Sequence, residues 1–298
     1  MEKHEKLNFS TNAKLGKLVG RELITNNIIA VFELIKNSYD AFASNVCIEF
    51  VDFSTSGKDA EISNRGKRNA VVSNSNSKII ISDNGCGMSF KEIKQNWMEI
   101  GTTSKEGTIE REARKGRKII HRIINGEKGI GRFGCDKIGA NLKMTSIGAE
   151  GRETSFLYID WNLFEDHSKK LQDVKFDCIT EQNLSQKETG LILEISNLRD
   201  DWTNLDILNL KKQLKKMISP FAQEQDDFNI FLKFGNYREK IINDSFEYAT
   251  TGIHAKLSAN GKLEYEIFDE RYNHSNSLEV KKPCFGSVEI KILYLDAA

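Results

Sequence analysis

The sequence predicts an α+β protein: a mixed, mainly antiparallel sheet with helices on one face. Three observations carry that expectation. One long stretch of helical periodicity lies near the N-terminus, at residues 22–43. Strand-like segments then follow one another, four in succession between residues 141 and 197, without the regular strand–helix alternation of a doubly wound sheet. Ten of the 21 glycines fall in the 55 residues from Gly85 to Gly139, while the chain has only two prolines, Pro220 and Pro283. Glycine permits positive φ and close backbone approach, so a cluster of this kind suggests loops shaped around a ligand.

Taken in order, Asn12 to Val19 could form a short helix. In residues 22–43, Leu23, Ile24, Ile28, Val31, Phe32, Ile35 and Tyr39 recur at helical spacing and mark a broad apolar face. Val46 to Phe53 has alternating apolar positions and β-branched residues, and reads as a strand. Residues 54–77, rich in Ser, Asn, Lys and Gly, read as an exposed insertion. Lys78 to Ser82 reads as a short buried strand running into Asp83–Gly87, after which Ser89 caps a helix reaching about Trp97. Residues 101–128 are polar and basic, with eight Lys/Arg against four Glu, a local net charge of +4. Helix resumes near Gly131 and stops near Gly139. Strands follow at 141–148, 153–162, 173–180 and 189–197, then a helix at 203–217 and a strand at 228–234. Residues 236–298 add strand-like pieces at 263–268 and 286–295.

Composition narrows the function classes. The 298 residues carry 43 Lys+Arg against 43 Asp+Glu, so no global field attracts nucleic acid or acidic membranes. No run approaches 18 apolar residues, so no membrane helix is expected. Met1 to Phe9 is charged and lacks an apolar core, which is unlike a secretory signal and leads us to expect a cytoplasmic protein. Five cysteines without CxxC spacing and five scattered histidines do not make a zinc pattern.

Four short motifs carry possible chemistry. In the first, Glu33, Asn37 and Asp40 are spaced by four and three, which puts them on one helix face. A carboxamide there can ligand a hard cation while a carboxylate orients water; a solvated helix edge is the plain alternative. In the second, Asp83-Asn84-Gly85-Cys86-Gly87-Met88 follows a buried strand. Its aspartate can accept from an exocyclic amine, and its glycines let a flat ring approach; an ordinary Asp-Gly turn is the alternative. In the third, Gly126, Gly129 and Gly131 precede a helix and, with Lys128, suit a phosphate group; a flexible hinge is the alternative. This loop does not fit GxxxxGK[ST]. In the fourth, Thr189-Gly190 opens a strand and says little alone.

In combination and in this order, the four motifs resemble the GHKL, or Bergerat-fold, ATPase superfamily. That group includes type II topoisomerase ATPase subunits, MutL-type repair proteins, the heat-shock chaperones of about ninety kilodaltons, MORC proteins and histidine kinases. The resemblance covers roughly residues 10–235. It implies a two-layer sandwich and, as cofactors, ATP and Mg²⁺. It implies that Glu33 is the base that activates water, Asn37 the Mg²⁺ ligand and Asp40 a supporting residue. Asp83 is implied to hold the adenine amine, helped through water by Thr189, with Gly85, Gly87 and Met88 beside the ring. Gly126, Lys128, Gly129, Ile130, Gly131, Arg132 and Phe133 are implied to surround the phosphates. Residues 99–128 are implied to form an ATP lid, from which Thr103, Ser104 and Lys105 approach the nucleotide. For Arg111, Arg114, Lys115, Arg117, Lys118 and Arg122, phosphate or nucleic-acid contact and a solvated helix face both stay open.

Gly101-Thr102-Thr103-Ser104-Lys105 resembles the MutL and MORC-like branches, which points to a nucleotide-dependent homodimer acting in a DNA-linked process. A chaperone or signalling switch without nucleic acid, or a module that holds ATP without turnover, are the alternatives. Thirty-two residues precede Glu33, and His4 is their one histidine, which disfavours a sensor kinase. The expected division is an ATP-binding domain at 1–235 and, at 236–298, a partial transducer-like region with Lys281 and Lys282 as positional candidates for a phosphate contact, in a chain that reads as a piece of something longer.

Overall fold

A computed structural model describes residues 11–55, 71–100, 110–115, 118–123, 131–148, 153–166, 168–182, 188–218, 228–243, 251–269, 272–280 and 288–294. The α-helices are α1 (Lys14–Lys17), α2 (Asn27–Asp40), α3 (Phe90–Glu92), α4 (Gly134–Ile138) and α5 (Asn204–Lys215). In chain order the strands of the first part are β1 (Asn45–Val51), β2 (Ser54–Thr55), β3 (Val71–Val72), β4 (Lys78–Asp83), β5 (Glu110–Lys115), β6 (Lys118–Ile123), β7 (Gly139–Ile147), β8 (Glu153–Asp160), β9 (Cys178–Gln182), β10 (Gly190–Leu198), β11 (Asn229–Phe234) and β12 (Tyr237–Lys240). Four more follow: β13 (Thr251–Leu257), β14 (Lys262–Asp269), β15 (Tyr272–Glu279) and β16 (Val288–Tyr294).

The first compact unit ends at Ile241 and holds an eight-stranded sheet in the order β12-β11-β1-β4-β10-β7-β8-β9. β1 and β11 run parallel; every other neighbouring pair is antiparallel. The expected α+β class with a mixed, mainly antiparallel sheet is therefore what the chain adopts.

Period-two patterning decides which face is covered. Val46, Ile48 and Phe50 of β1, Ile79 and Ile81 of β4, Leu193 and Ile195 of β10, and Leu142 and Met144 of β7 are all buried. Their alternates, such as Glu49, Glu194 and Lys143, point to the other face and keep contact with water. Helices α2, α4 and α5 pack on the buried face through Ala30, Val31, Leu34, Ile35, Ile138, Ile207, Leu210 and Leu214. Each aliphatic side chain so removed from water contributes about 1.5–3 kcal/mol.

Helix boundaries depend on caps. The apolar periodicity suggested one helix over 22–43, but α2 starts at Asn27 because the Asn26 side chain accepts from the Ile29 N–H at 2.9 Å. The preceding residues Leu18–Glu22 form a separate π-type turn. Ser89 and Glu92 make a capping box, as do Thr203 and Asp206, at the starts of α3 and α5. The helix after Ser89 leaves α geometry at Ile93 and continues as a π-type turn to Trp97.

The basic stretch holds a hairpin, β5 paired with β6, so for Arg111, Arg114, Lys115, Lys118 and Arg122 the helix-face alternative is replaced by a strand pair, while Arg117 lies outside the described residues. One side chain of it, Arg122, is buried and donates to the Tyr39 carbonyl at 2.7 Å. The second unit, from Ile242, has a four-stranded antiparallel sheet in the order β15-β14-β13-β16. Among the described residues, no helix is long and apolar enough to cross a membrane.

Candidate functional site

The central strands bring the motifs to one end of the sheet. β4 lies between β1 and β10, so Asp83 at its C-terminal end pairs with Val46 on one side and Leu191 on the other. That places the second motif between the end of α2 and the start of β10, where Thr189 sits.

Asp83 is held from two sides. Its Oδ2 accepts from the Ser38 hydroxyl at 2.7 Å, and its Oδ1 accepts from the Gly85 N–H at 2.8 Å. The Thr189 hydroxyl donates to the Gly85 carbonyl at 2.6 Å. The Cys86 N–H donates to the Ala41 carbonyl at 2.9 Å. Asn84 anchors the same turn, accepting from the Ser44 and Asn45 N–H groups at 2.9 and 2.8 Å. Met88 is half-buried, and its N–H and carbonyl both engage the buried Ser146 hydroxyl, at 2.8 and 2.9 Å.

Glycine is required here for space. Gly87 has φ of +61°, and a Cβ on it would stand 2.0 Å from the Ile147 carbonyl oxygen. A Cβ on Gly190 would stand 2.1 Å from the Asp83 carbonyl oxygen. These two positions let the turn, β7 and β10 approach backbone to backbone.

The glycine segment meets the helix at a second place. A Cβ on Gly131 would stand 3.3 Å from Asn37 Nδ2, 3.6 Å from Glu33 Cβ and 3.7 Å from Glu33 Oε2. Gly131 thus stands beside the stretch of α2 that carries Glu33 and Asn37. Glu33 is partly exposed, and Lys36 Nζ lies 3.2 Å from its Oε1. Asp40 is buried at the end of α2.

Beyond Gly131, a short 3₁₀ turn takes Arg132 and Phe133 inward. Phe133 is buried, 5.7 Å from Trp161 between ring centres. Arg132 donates to the Glu99 carbonyl, and burial lowers its pKa to about 10. α4 then carries Asp136, fully buried between Arg21 at 3.2 Å and Arg199 at 2.8 Å. Burial pushes this carboxyl up from its ordinary range, against the pull of the two guanidinium groups. Close packing of α4 on α2, with a Cβ at Gly134 only 3.1 Å from the Ala30 carbonyl, fixes where Gly131 stands.

The structure therefore brings together Asp83, Gly85, Gly87, Met88 and Thr189 in one group, and Glu33, Asn37 and Gly131 in another, both along α2. Thr103, Ser104, Lys105, Gly126, Lys128, Gly129 and Ile130 lie outside the described residues, as do Lys281 and Lys282. Four contributors had no assigned role from sequence: Ser38, Lys36, Ser146 and Gly190. Ser38 was within reach of sequence reasoning, since it is the residue after Asn37 on a helix leading to the Asp83 turn. Ser146 had no local signal; it is an ordinary strand serine until the turn docks on it.

A family model for histidine kinase-, DNA gyrase B- and HSP90-like ATPases matches residues 25–190, more than half of the chain. The chain belongs to this ATPase family. The matched span runs from before α2 to the start of β10 and so contains both groups. Membership in the histidine kinase-, gyrase B- and HSP90-like ATPases supports ATP as the ligand of the site. Two similar proteins are both named chaperone protein HtpG. The one from Buchnera aphidicola subsp. Cinara cedri is 27% identical over 242 residues, covering 77% of this chain and 33% of that protein. The one from Fusobacterium nucleatum subsp. nucleatum is 24% identical over 293 residues, covering 89% of this chain and 43% of that protein. The chain thus spans between a third and a half of the length of these relatives.

Proposed function

We propose that the chain binds ATP with Mg²⁺ and hydrolyses it to ADP and phosphate, using Glu33 as the base. The observation that carries this reading is the approach of Gly131 to both Glu33 and Asn37, which puts a backbone able to meet phosphates beside a carboxylate and a carboxamide.

Asp83 takes the adenine amino group. Its two oxygens are oriented by Ser38 and the Gly85 N–H, at the end of the strand where the glycine turn begins. Thr189 supports this end through the Gly85 carbonyl and through water to the ring. The glycine run from Gly126, with Lys128, Ile130 and the backbone at Arg132 and Phe133, surrounds the phosphates, and Thr103, Ser104 and Lys105 complete the site from the lid. Buried Asp40 supports the helix end.

The residues fit Mg²⁺. Among the described residues no three His, Cys, Asp or Glu form a metal cluster; the Asn37 carboxamide, which meets Gly131 through its Nδ2, carries one hard oxygen. A hydrated Mg²⁺ needs few protein ligands when it also binds polyphosphate. When bound, the ion neutralises phosphate charge. Glu33 orients a water and accepts its proton as the oxygen–phosphorus bond forms and the bond from the γ-phosphorus to the bridging oxygen breaks.

Lid closure over ATP and nucleotide-dependent homodimerisation follow as parts of the same reading. For the output, the two chaperone relatives favour a conformational switch acting on protein, while the Thr-Ser-Lys stretch at 103–105 favours a DNA-linked role.

The test is ATP turnover by the purified chain, with its mass in each nucleotide state. Glu33→Ala is expected to keep ATP binding and lose hydrolysis; full turnover in that variant defeats the base assignment. Asp83→Asn is expected to weaken ATP binding, and unchanged affinity counts against the adenine assignment. DNA stimulation that falls steeply with salt selects the DNA-linked output; none selects the protein-directed one.

A further inference from the structure

Lys36 stands three residues after Glu33, so the two side chains are neighbours on α2. Lys36 Nζ lies 3.2 Å from Glu33 Oε1 and 3.3 Å from Oε2. The two side chains are 21% and 33% exposed, so the pair is neither buried nor freely solvated. Pairs of this kind add little to folding stability. Their effect on geometry is larger. A glutamate side chain has three rotatable bonds, and one ammonium touching both oxygens removes much of that freedom.

The direction in which Glu33 is held matters because of what lies beside it. A Cβ added at Gly131 would lie 3.6 Å from the Glu33 Cβ and 3.7 Å from its Oε2, and the Asn37 amide borders the same space. A base works when one oxygen is within hydrogen-bond reach of the water it deprotonates. Reaching that geometry costs less when the carboxylate is already oriented.

We propose that Lys36 is a positioning residue for Glu33, setting the orientation in which the carboxylate faces the glycine segment. The inference rests on the reading of Glu33 as the hydrolytic base. It predicts a definite sign. A lysine that merely sequestered the carboxylate would slow the enzyme, and its removal would speed turnover. A lysine that positions the base slows turnover when removed and leaves nucleotide affinity nearly intact.

The experiment compares wild type, Lys36→Gln, Lys36→Arg and Glu33→Ala for ATP turnover and ATP affinity. In parallel, the Lys36 side-chain ammonium is followed by ¹⁵N NMR in wild type and Glu33→Gln. In Lys36→Gln, kcat is expected to fall by roughly five- to tenfold, in the range of coupled neighbouring residues, with affinity changed less than about twofold. Lys36→Arg should recover most of the rate, and the ammonium signal should move in Glu33→Gln. An unchanged or raised kcat in Lys36→Gln overturns the inference, as does a loss confined to affinity or an ammonium signal indifferent to Glu33→Gln. If Lys36→Gln does not fold, the arginine variant and the NMR comparison decide. Glu33→Ala turning over at the wild-type rate removes the base reading first, and this inference with it.

Discussion

The Ser38 hydroxyl donates a 2.7 Å hydrogen bond to Asp83 Oδ2, joining the helix that carries Glu33 and Asn37 to the turn that ends β4. Ser38 is buried, so its bond to the carboxylate is shielded from water. Bonds to charged groups in such places contribute about 1.5–3 kcal/mol.

Ser38→Ala should therefore remove the hydroxyl that orients Asp83 Oδ2. ATP affinity is expected to drop about tenfold, equivalent to about 1.4 kcal/mol. Titration calorimetry checks it, and unchanged affinity would mean that Ser38 does not orient the carboxylate for nucleotide.

Gly87→Ala and Gly235→Ala separate two effects of glycine. Both residues have positive φ, +61° and +51°. At Gly235 nothing lies within 4 Å of an added Cβ, so only the conformational cost of about 1–2 kcal/mol applies. At Gly87 the methyl also meets the Ile147 carbonyl oxygen at 2.0 Å, adding about 1–3 kcal/mol of overpacking. Urea unfolding should show Gly87→Ala as clearly the more damaging change.

Arg122 ties the β5–β6 hairpin to the end of α2. Its guanidinium lies 4.3 Å from the Tyr39 ring centre and 5.3 Å from that of Phe228. Arg122→Ala should cost about 2 kcal/mol, as expected for desolvated cation–π contact. Hydrogen exchange should show faster exchange of the hairpin amides, with β1 and β4 unchanged.

Asp136→Ala leaves Arg21 and Arg199 facing each other without the carboxylate that pairs them. A loss of about 3–5 kcal/mol is expected, measured by denaturant unfolding. Asp136→Asn, which keeps the shape and removes the charge, should cost less.

Cysteine labelling probes the turn beside Asp83. Cys86 is exposed, while Cys135 is buried and Cys47 and Cys178 are partly so. Burial raises the thiol pKa of Cys47, Cys135 and Cys178, which leaves less thiolate at neutral pH. In a Cys284→Ser background, Cys86 should react first with a maleimide, and ATP should protect it. Equal labelling with and without ATP would place the nucleotide away from this turn.

Much of the fold was legible because apolar periodicity is a local signal. Val46, Ile48 and Phe50 alternate in sequence and end on one buried face. Boundaries were less legible where a side chain competed with the pattern: Leu23 and Ile24 continue the helical spacing, yet Asn26 caps the helix after them. β5 and β6 were missed because a charged strand pair has no apolar alternation to announce it.

At the candidate site, sequence by itself determined the residue types, their order and the family to which they point. It also determined that Glu33, Asn37 and Asp40 share a helix face, since three and four residues nearly complete a turn. Only the tertiary structure decided which motif touches which. Pairing of β4 between β1 and β10 brings Asp83 to Ser38, 45 residues earlier, and Gly85 to Thr189, 104 residues later. Packing of α4 on α2 brings Gly131 to Asn37. These meetings are set by sheet register and helix packing, which depend on the whole core and leave no mark in any short stretch of sequence.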